Sequence, residues 1–149
     1  MPSSLEQNKR LADRIERMDE LIMLYPDIAI SEARSVVETA TKILLSDLSV
    51  EYDNKMDVPQ LRKLLNKKLY LSAKGQDKTT DVGLISAKML GNFEGIASVL
   101  DELRNKFSSA HGHGYEDEEI PIRFAQLACI SAKAIIEFWF STFDDMEGK

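Results

Sequence analysis

An all-α bundle of four to five helices, running up and down with an extra helix at the N-terminus, is the fold this sequence predicts. Three observations lead there. No segment alternates polar and apolar residues with the period of two that a half-buried strand needs, while apolar residues recur at spacings of three and four along most of the chain. Four prolines and seven glycines in 149 residues leave room for long uninterrupted helices. A hydrophobic fraction of 44% beside 30% charged residues is that of a globular chain, and the length suits one domain with a real core. No internal repeat points to a solenoid.

The first helix is expected from about Ser4 to Leu24, with Leu5, Ile15, Met18, Ile22 and Tyr25 as its stripe. Its first half is thin in apolar residues, so residues 1–25 are set apart as a linker, a lid or a partner-binding helix, and residues 26–149 as the main helical domain. Pro26 stops it, and Asp27 suits the cap of the next. The second helix, from Asp27 to about Leu48, turns Ile30, Ala33, Val37, Ala40, Ile43, Leu44 and Leu48 inward and sets Glu38 four residues before Lys42, the favourable order for a surface ion pair. Pro59 opens a third helix carrying Leu61, Leu64, Leu65, Leu69 and Leu71, followed by a polar loop at residues 75–80.

The fourth helix has the clearest periodicity: Val82, Ile85, Met89, Phe93, Ile96, Leu100, Leu103 and Phe107 form a seam expected to face the core. Gly91 and Gly95 lower its propensity, and a close helix contact is the simplest reason for them. It ends at the glycine-punctuated segment His111-Gly112-His113-Gly114. The acids at residues 116–119 and Pro121 then suit the start of a fifth helix, which carries Ala125, Ala128, Ala132, Ile135, Ile136, Trp139 and Phe143. The aromatics Phe138, Trp139, Phe140 and Phe143 point in several directions, so one face needs cover from the first helix or from a second subunit.

A net charge of −6 argues against a broadly basic nucleic-acid coat but leaves room for a local basic site. Cys129 is the only cysteine, which excludes an internal disulfide and suits a reducing compartment; among small apolar neighbours it reads as a buried thiol rather than a nucleophile. The N-terminus has no basic head followed by an apolar stretch, and no apolar run reaches the roughly 18 residues of a membrane span. A cytoplasmic protein with no membrane partner is expected.

The usual phosphate-cradling glycine loop, zinc-binding cysteine pairs, His-Glu-x-x-His and the Gly-x-Ser-x-Gly elbow are all absent, and no cofactor or metal is expected. Chemistry concentrates at the end of the fourth helix. Arg104 and His111 are seven residues apart, two helical turns, with Ser108 between them. A helix reaching His111 would put a permanent cation and a titratable imidazole on one side. The guanidinium fork matches phosphodiester oxygens, and histidine moves protons near neutral pH. Asn105 could orient a phosphate or cap the loop. The same residues also suit a plain helix end, where arginine answers the dipole and histidine in a glycine-rich loop caps the C-terminus.

Arg104-Asn105 followed by His111-Gly112 resembles the Arg-x(4–6)-His motif of HEPN domains. More closely, the chain resembles the C-terminal domain of abortive infection proteins, the Abi-C family, a HEPN-like group. The resemblance rests on Ala33-Arg34 through Glu38, Lys42-Ile43-Leu44, Pro59-Gln60-Leu61, Arg104-Asn105, residues 111–114 and Arg123 through Ala128, and spans residues 26 to 143. It implies a HEPN-like bundle and a metal-independent endoribonuclease, assembled as a homodimer with a composite site and leaving 2′,3′-cyclic phosphate ends. Arg104 would stabilise charge on the phosphate, His111 would act as general acid or base, and Asn105 would position the phosphate or His111. His113, Ser108 and Glu38 are auxiliary candidates. The implied setting is antiviral defence or a toxin–antitoxin pair, with an antitoxin or other protein as a further partner. Six residues separate Arg104 from His111, the long end of the motif.

The third predicted helix adds a basic patch for an RNA backbone, Arg62, Lys63, Lys67 and Lys68, continued by Lys74 and Lys78; the same residues also read as a solvated face over a leucine stripe. Three functions therefore stand side by side: an RNA-cleaving or RNA-binding effector, a catalytically inactive dimerisation module that regulates a partner, and a small binder of a nucleotide or anion. The first needs Arg104 and His111 at the surface near a subunit boundary; the second expects Arg104 tied to a carboxylate such as Glu38 and closed to solvent; the third needs a pocket within one chain.

Overall fold

The computed structural model describes residues 1–107 and 120–148. Among them are six α-helices and no strand: α1 (Ser3–Gln7), α2 (Lys9–Leu24), α3 (Pro26–Asp47), α4 (Val58–Lys68), α5 (Asp81–Phe107) and α6 (Ile122–Met146), with one 3₁₀ turn at Ala73–Gly75. The single N-terminal helix expected from Ser4 is divided at Asn8, whose amide side chain donates to the Ser4 carbonyl at 3.2 Å. This bend lets α1 fold onto the end of α6, where the Ser4 backbone N–H donates to Asp144 Oδ2 at 3.2 Å. Leu5 in α1 and Leu11, Ile15, Met18 and Ile22 in α2 are buried against α3 and α6.

Local chemistry sets the other helix ends. Asp57 and Gln60 form a reciprocal capping box at the start of α4, each side chain accepting from the other's backbone N–H at 2.9 Å. Both α3 and α4 end in Schellman motifs. Val50 N–H reaches the Leu45 carbonyl at 2.9 Å and Leu71 N–H reaches that of Asn66 at 2.7 Å, which puts Ser49 and Tyr70 at φ of 57° and 59°.

Helix α3 is the axis of the bundle, with α2, α4, α5 and α6 packed round it. Ile30, Ala33, Val37, Ala40 and Leu44 face inward as their spacing predicts, and Ala125, Ala128, Ala132, Ile135, Ile136, Trp139 and Phe143 do so on α6. Trp139 is fully buried, with Phe93 set edge-on to it at 6.1 Å and to Phe138 at 5.2 Å. Helix α6 is the one helix among the described residues long and apolar enough to cross a membrane, and its buried face is the core face just listed.

The predicted inward seam of α5 is only partly inward. Ala97 and Leu100 are buried and Phe93 packs on the core, but Val82, Ile85, Met89 and Ile96 are exposed. The side of α5 that meets α4 carries Glu94 and Asp101, both bonded to Arg62. These acids read as a solvent face in sequence, and their pairing with the buried Arg62 turns the apolar stripe outward. Gly91 and Gly95 are exposed, and a Cβ at either would meet nothing within 4 Å, so neither marks a close contact inside the chain.

Cys129 is buried, its Sγ 3.8 Å from the Ala29 carbonyl. Burial pushes its thiol pKa up to about 11; Asp19 adds to the shift and Lys133, ion-paired with Asp19, opposes it. Maleimide labelling at neutral pH is expected to be slow in the folded protein and complete after denaturation. Rapid labelling of the native chain would contradict this burial.

Candidate functional site at the end of the fifth helix

Arg104 lies in the last turn of α5, at the negative end of the helix dipole. A chain of alternating charges, one turn earlier, fixes that end. Asp101 accepts from Arg34 Nε on α3 at 3.3 Å and from Arg62 Nη1 on α4 at 2.8 Å. Arg62 Nη2 continues to Glu94 at 3.3 Å, Asn66 Nδ2 donates to the same carboxylate at 3.3 Å, and Trp139 Nε1 donates to Asn66 Oδ1 at 2.9 Å. In the other direction Arg34 Nη1 donates to Glu38 at 2.6 Å, and Lys42 pairs with Glu38 at 3.2 Å, the ion pair the four-residue spacing predicts. Three cations and three carboxylates thus alternate across α3, α4 and α5, and the last link reaches α6.

Arg104 itself is partly exposed and donates to Asn105 Oδ1 at 3.4 Å; Asn105 is exposed. Among the described residues no carboxylate pairs with Arg104. Glu38, the acid expected either to assist the site or to neutralise Arg104, is occupied by Arg34 and Lys42 instead. Ser108, His111 and His113 lie outside the described residues.

Arg62 must be removed from the expected RNA patch. It is 1% exposed and held by Asp101 and Glu94, so its guanidinium is a structural cation with no path to a surface phosphate. Its place at the centre of a leucine-rich helix hides this in sequence, because arginine in that setting reads as solvated. Lys63, Lys67 and Lys68 are exposed, and Tyr70 beside them is 77% exposed. A cleft of about 400 Å³ opens next to Glu38, lined also by Arg34, Lys42, Tyr52, Asp53 and Asp57; Arg104 does not line it. No cluster of three metal-ligating side chains occurs among the described residues.

A family model described as a HEPN-like domain, Abi_C, matches residues 9–143. The chain belongs to the HEPN-like domain family. No curated protein and no solved structure matches it. The HEPN-like match begins at the first residue of α2 and runs into the last turns of α6, so it takes in every helix of the bundle except α1. Sequence reasoning missed Asp101, Arg34 and Arg62 as the group that positions the helix end in this HEPN-like domain. No local spacing signals it, because Asp101 meets Arg34 and Arg62 across 67 and 39 residues of chain.

Proposed function

We propose that this HEPN-like domain is an RNA-cleaving effector of an abortive-infection or toxin-type defence system, acting through Arg104 and His111 without a metal. The observation that supports it is the state of Arg104. It stands partly exposed at the end of a helix anchored by a charge chain centred on the buried Arg62, while the carboxylate best placed in sequence to silence it is engaged elsewhere. In the reaction a ribose 2′-oxygen gives its proton to a base, attacks the adjacent phosphorus and expels the 5′-oxygen, which takes up a proton. The products are a 2′,3′-cyclic phosphate and a 5′-hydroxyl. Arg104 offers a fork to the phosphate oxygens as charge builds on them, and Asn105 holds one of those oxygens. His111 carries one proton transfer; His113, or His111 of a second copy in a homodimer, carries the other. Lys63, Lys67 and Lys68 would track the RNA backbone. An antitoxin or other protein would hold such an activity in check.

The exposed apolar residues of α5 and α6 favour a second reading, an inactive HEPN-like module that dimerises and regulates a partner. Incubating purified protein with bulk RNA in EDTA separates the two. The wild type is expected to give fragments with cyclic phosphate ends, and Arg104→Ala and His111→Ala none. A folded dimeric wild type inert on varied RNA would leave the interaction module.

A further inference from the structure

A second cleft lies between α4, the 3₁₀ turn and α5. Its volume of about 490 Å³ falls in the range of about 300–1,000 Å³ usual for ligand pockets, and its lining is mainly apolar, with Pro59, Leu71, Ala73 and Leu90 among the walls. Gly91 lines it too. Glycine in mid-helix weakens a helix, and no neighbour in the chain requires one here: a Cβ at Gly91 would meet nothing within 4 Å. What the missing side chain leaves is room in the cleft. Lys63 and Lys74, both exposed, add two ammonium groups to the lining, and among the described residues no carboxylate pairs with either.

The polar part of the lining is ordered. Asn66 is 9% exposed, and its Oδ1 accepts from Trp139 Nε1 at 2.9 Å, which fixes the two ends of the amide. Its Nδ2 donates to Glu94 Oε2 at 3.3 Å and keeps a second N–H. Arg62 holds the other oxygen of Glu94 at 3.3 Å, yet the side chain is 42% exposed, so both carboxylate oxygens keep a lone pair. An amide donor thus stands beside two carboxylate acceptors. The pairing edge of guanine is the complement, O6 followed by the N1–H and N2–H donors. Adenine and cytosine would each turn a ring-nitrogen lone pair toward a carboxylate oxygen, and uracil brings a single N–H between two carbonyls.

We propose that this cleft takes one unstacked guanine of the RNA, with N1–H and N2–H on Glu94, O6 on Asn66 and the flanking phosphates on Lys63 and Lys74. Resting on the RNA reading above, the site adds a base preference to it. What adjoins the cleft favours a strand over a free nucleotide. Tyr70, next to Leu71, is 77% exposed and shares its helix end with Lys67 and Lys68, a ring and two cations for the next nucleotides. Glu94 and Arg104 lie ten residues apart on α5, about 15 Å along the axis, so a guanine seated here sets the cut a few nucleotides away.

Oligoadenylate strands with 2′-O-methyl riboses test this without cleavage, because they lack the attacking hydroxyl. With one central guanine the strand is expected to bind the wild type about 10- to 100-fold tighter than the all-adenine strand. Inosine in its place, which lacks only the N2 amine, is expected to lose most of that gain. Gly91→Leu should lose the preference while melting no lower than wild type, because leucine fills the cleft and favours the helix. Equal binding of the guanine and adenine strands, inosine matching guanine, or a preference that survives Gly91→Leu would each overturn the site. Guanosine monophosphate alone binding as tightly as the strand would overturn the strand as the source of the base. None of these measurements needs catalysis, so a wild type that cuts no RNA yet prefers the guanine strand fails the nuclease reading alone.

Discussion

Replacing Arg62 with alanine is expected to destabilise the fold by about 2–5 kcal/mol, the usual cost of emptying the place of a fully buried long side chain. Arg62 is the largest buried charge in the described residues and bridges α4 to two turns of α5 through Asp101 and Glu94. Its loss leaves Asp101 with Arg34 alone and Glu94 with only Asn66. The penalty comes chiefly from the emptied volume and from Asp101, whose side chain is 20% exposed and loses its nearer donor, while Glu94, at 42%, is open to water. Arg62→Met combined with Glu94→Gln is therefore expected to cost clearly less than Arg62→Ala, since it removes a charge from each side and refills the volume. Urea unfolding followed by the single tryptophan reads both, and Trp139 sits at the end of the same chain through Asn66. Equal losses in the two variants would mean that the guanidinium's own bonds, not the volume it fills, are what Arg62 supplies.

This charge chain also marks the boundary of what the sequence discloses. The inward faces of α3 and α6 are legible because their periodic apolar residues meet apolar neighbours, as Ala33, Val37 and Ala40 and then Ala128, Ala132 and Ile136 show. The α4 start is legible because Asp57, Pro59 and Gln60 act within one turn. The facing of α5 is not, since it is decided by Arg62 drawing Glu94 and Asp101 inward across 32 and 39 residues of chain. Periodicity scores those acids as solvated, and so assigns Val82, Ile85 and Met89 to a core they do not reach. Both errors, the buried Arg62 and the outward seam, come from one tertiary pairing. For the site, the position of Arg104 at a helix end and the Glu38–Lys42 pair were readable from local pattern, whereas the bond from Arg34 to Asp101 joins residues 67 positions apart.

Arg104→Ala is expected to lower RNA cleavage by about 10²–10³-fold, the range seen when one preorganised donor to a developing oxyanion is removed. Because Arg104 is partly exposed and tied among the described residues only to Asn105 at 3.4 Å, its truncation should leave stability within about 0.5 kcal/mol of wild type. That separation between activity and stability is what distinguishes it from Arg62. Arg104→Lys is the more discriminating change: it keeps the charge but presents a point donor in place of the planar fork, and should recover only part of the loss. Full recovery with lysine would reduce Arg104 to a simple counter-ion for the backbone, and its effect would then fade with added salt. His111→Ala is expected to cost about 10²–10⁴-fold through loss of a proton carrier. The Arg104→Ala, His111→Ala double variant should be little worse than the poorer single variant, since residues acting on one transition state are not additive. A double variant whose loss is the product of the two would mean that Arg104 and His111 serve separate steps, with Arg104 holding RNA in the ground state.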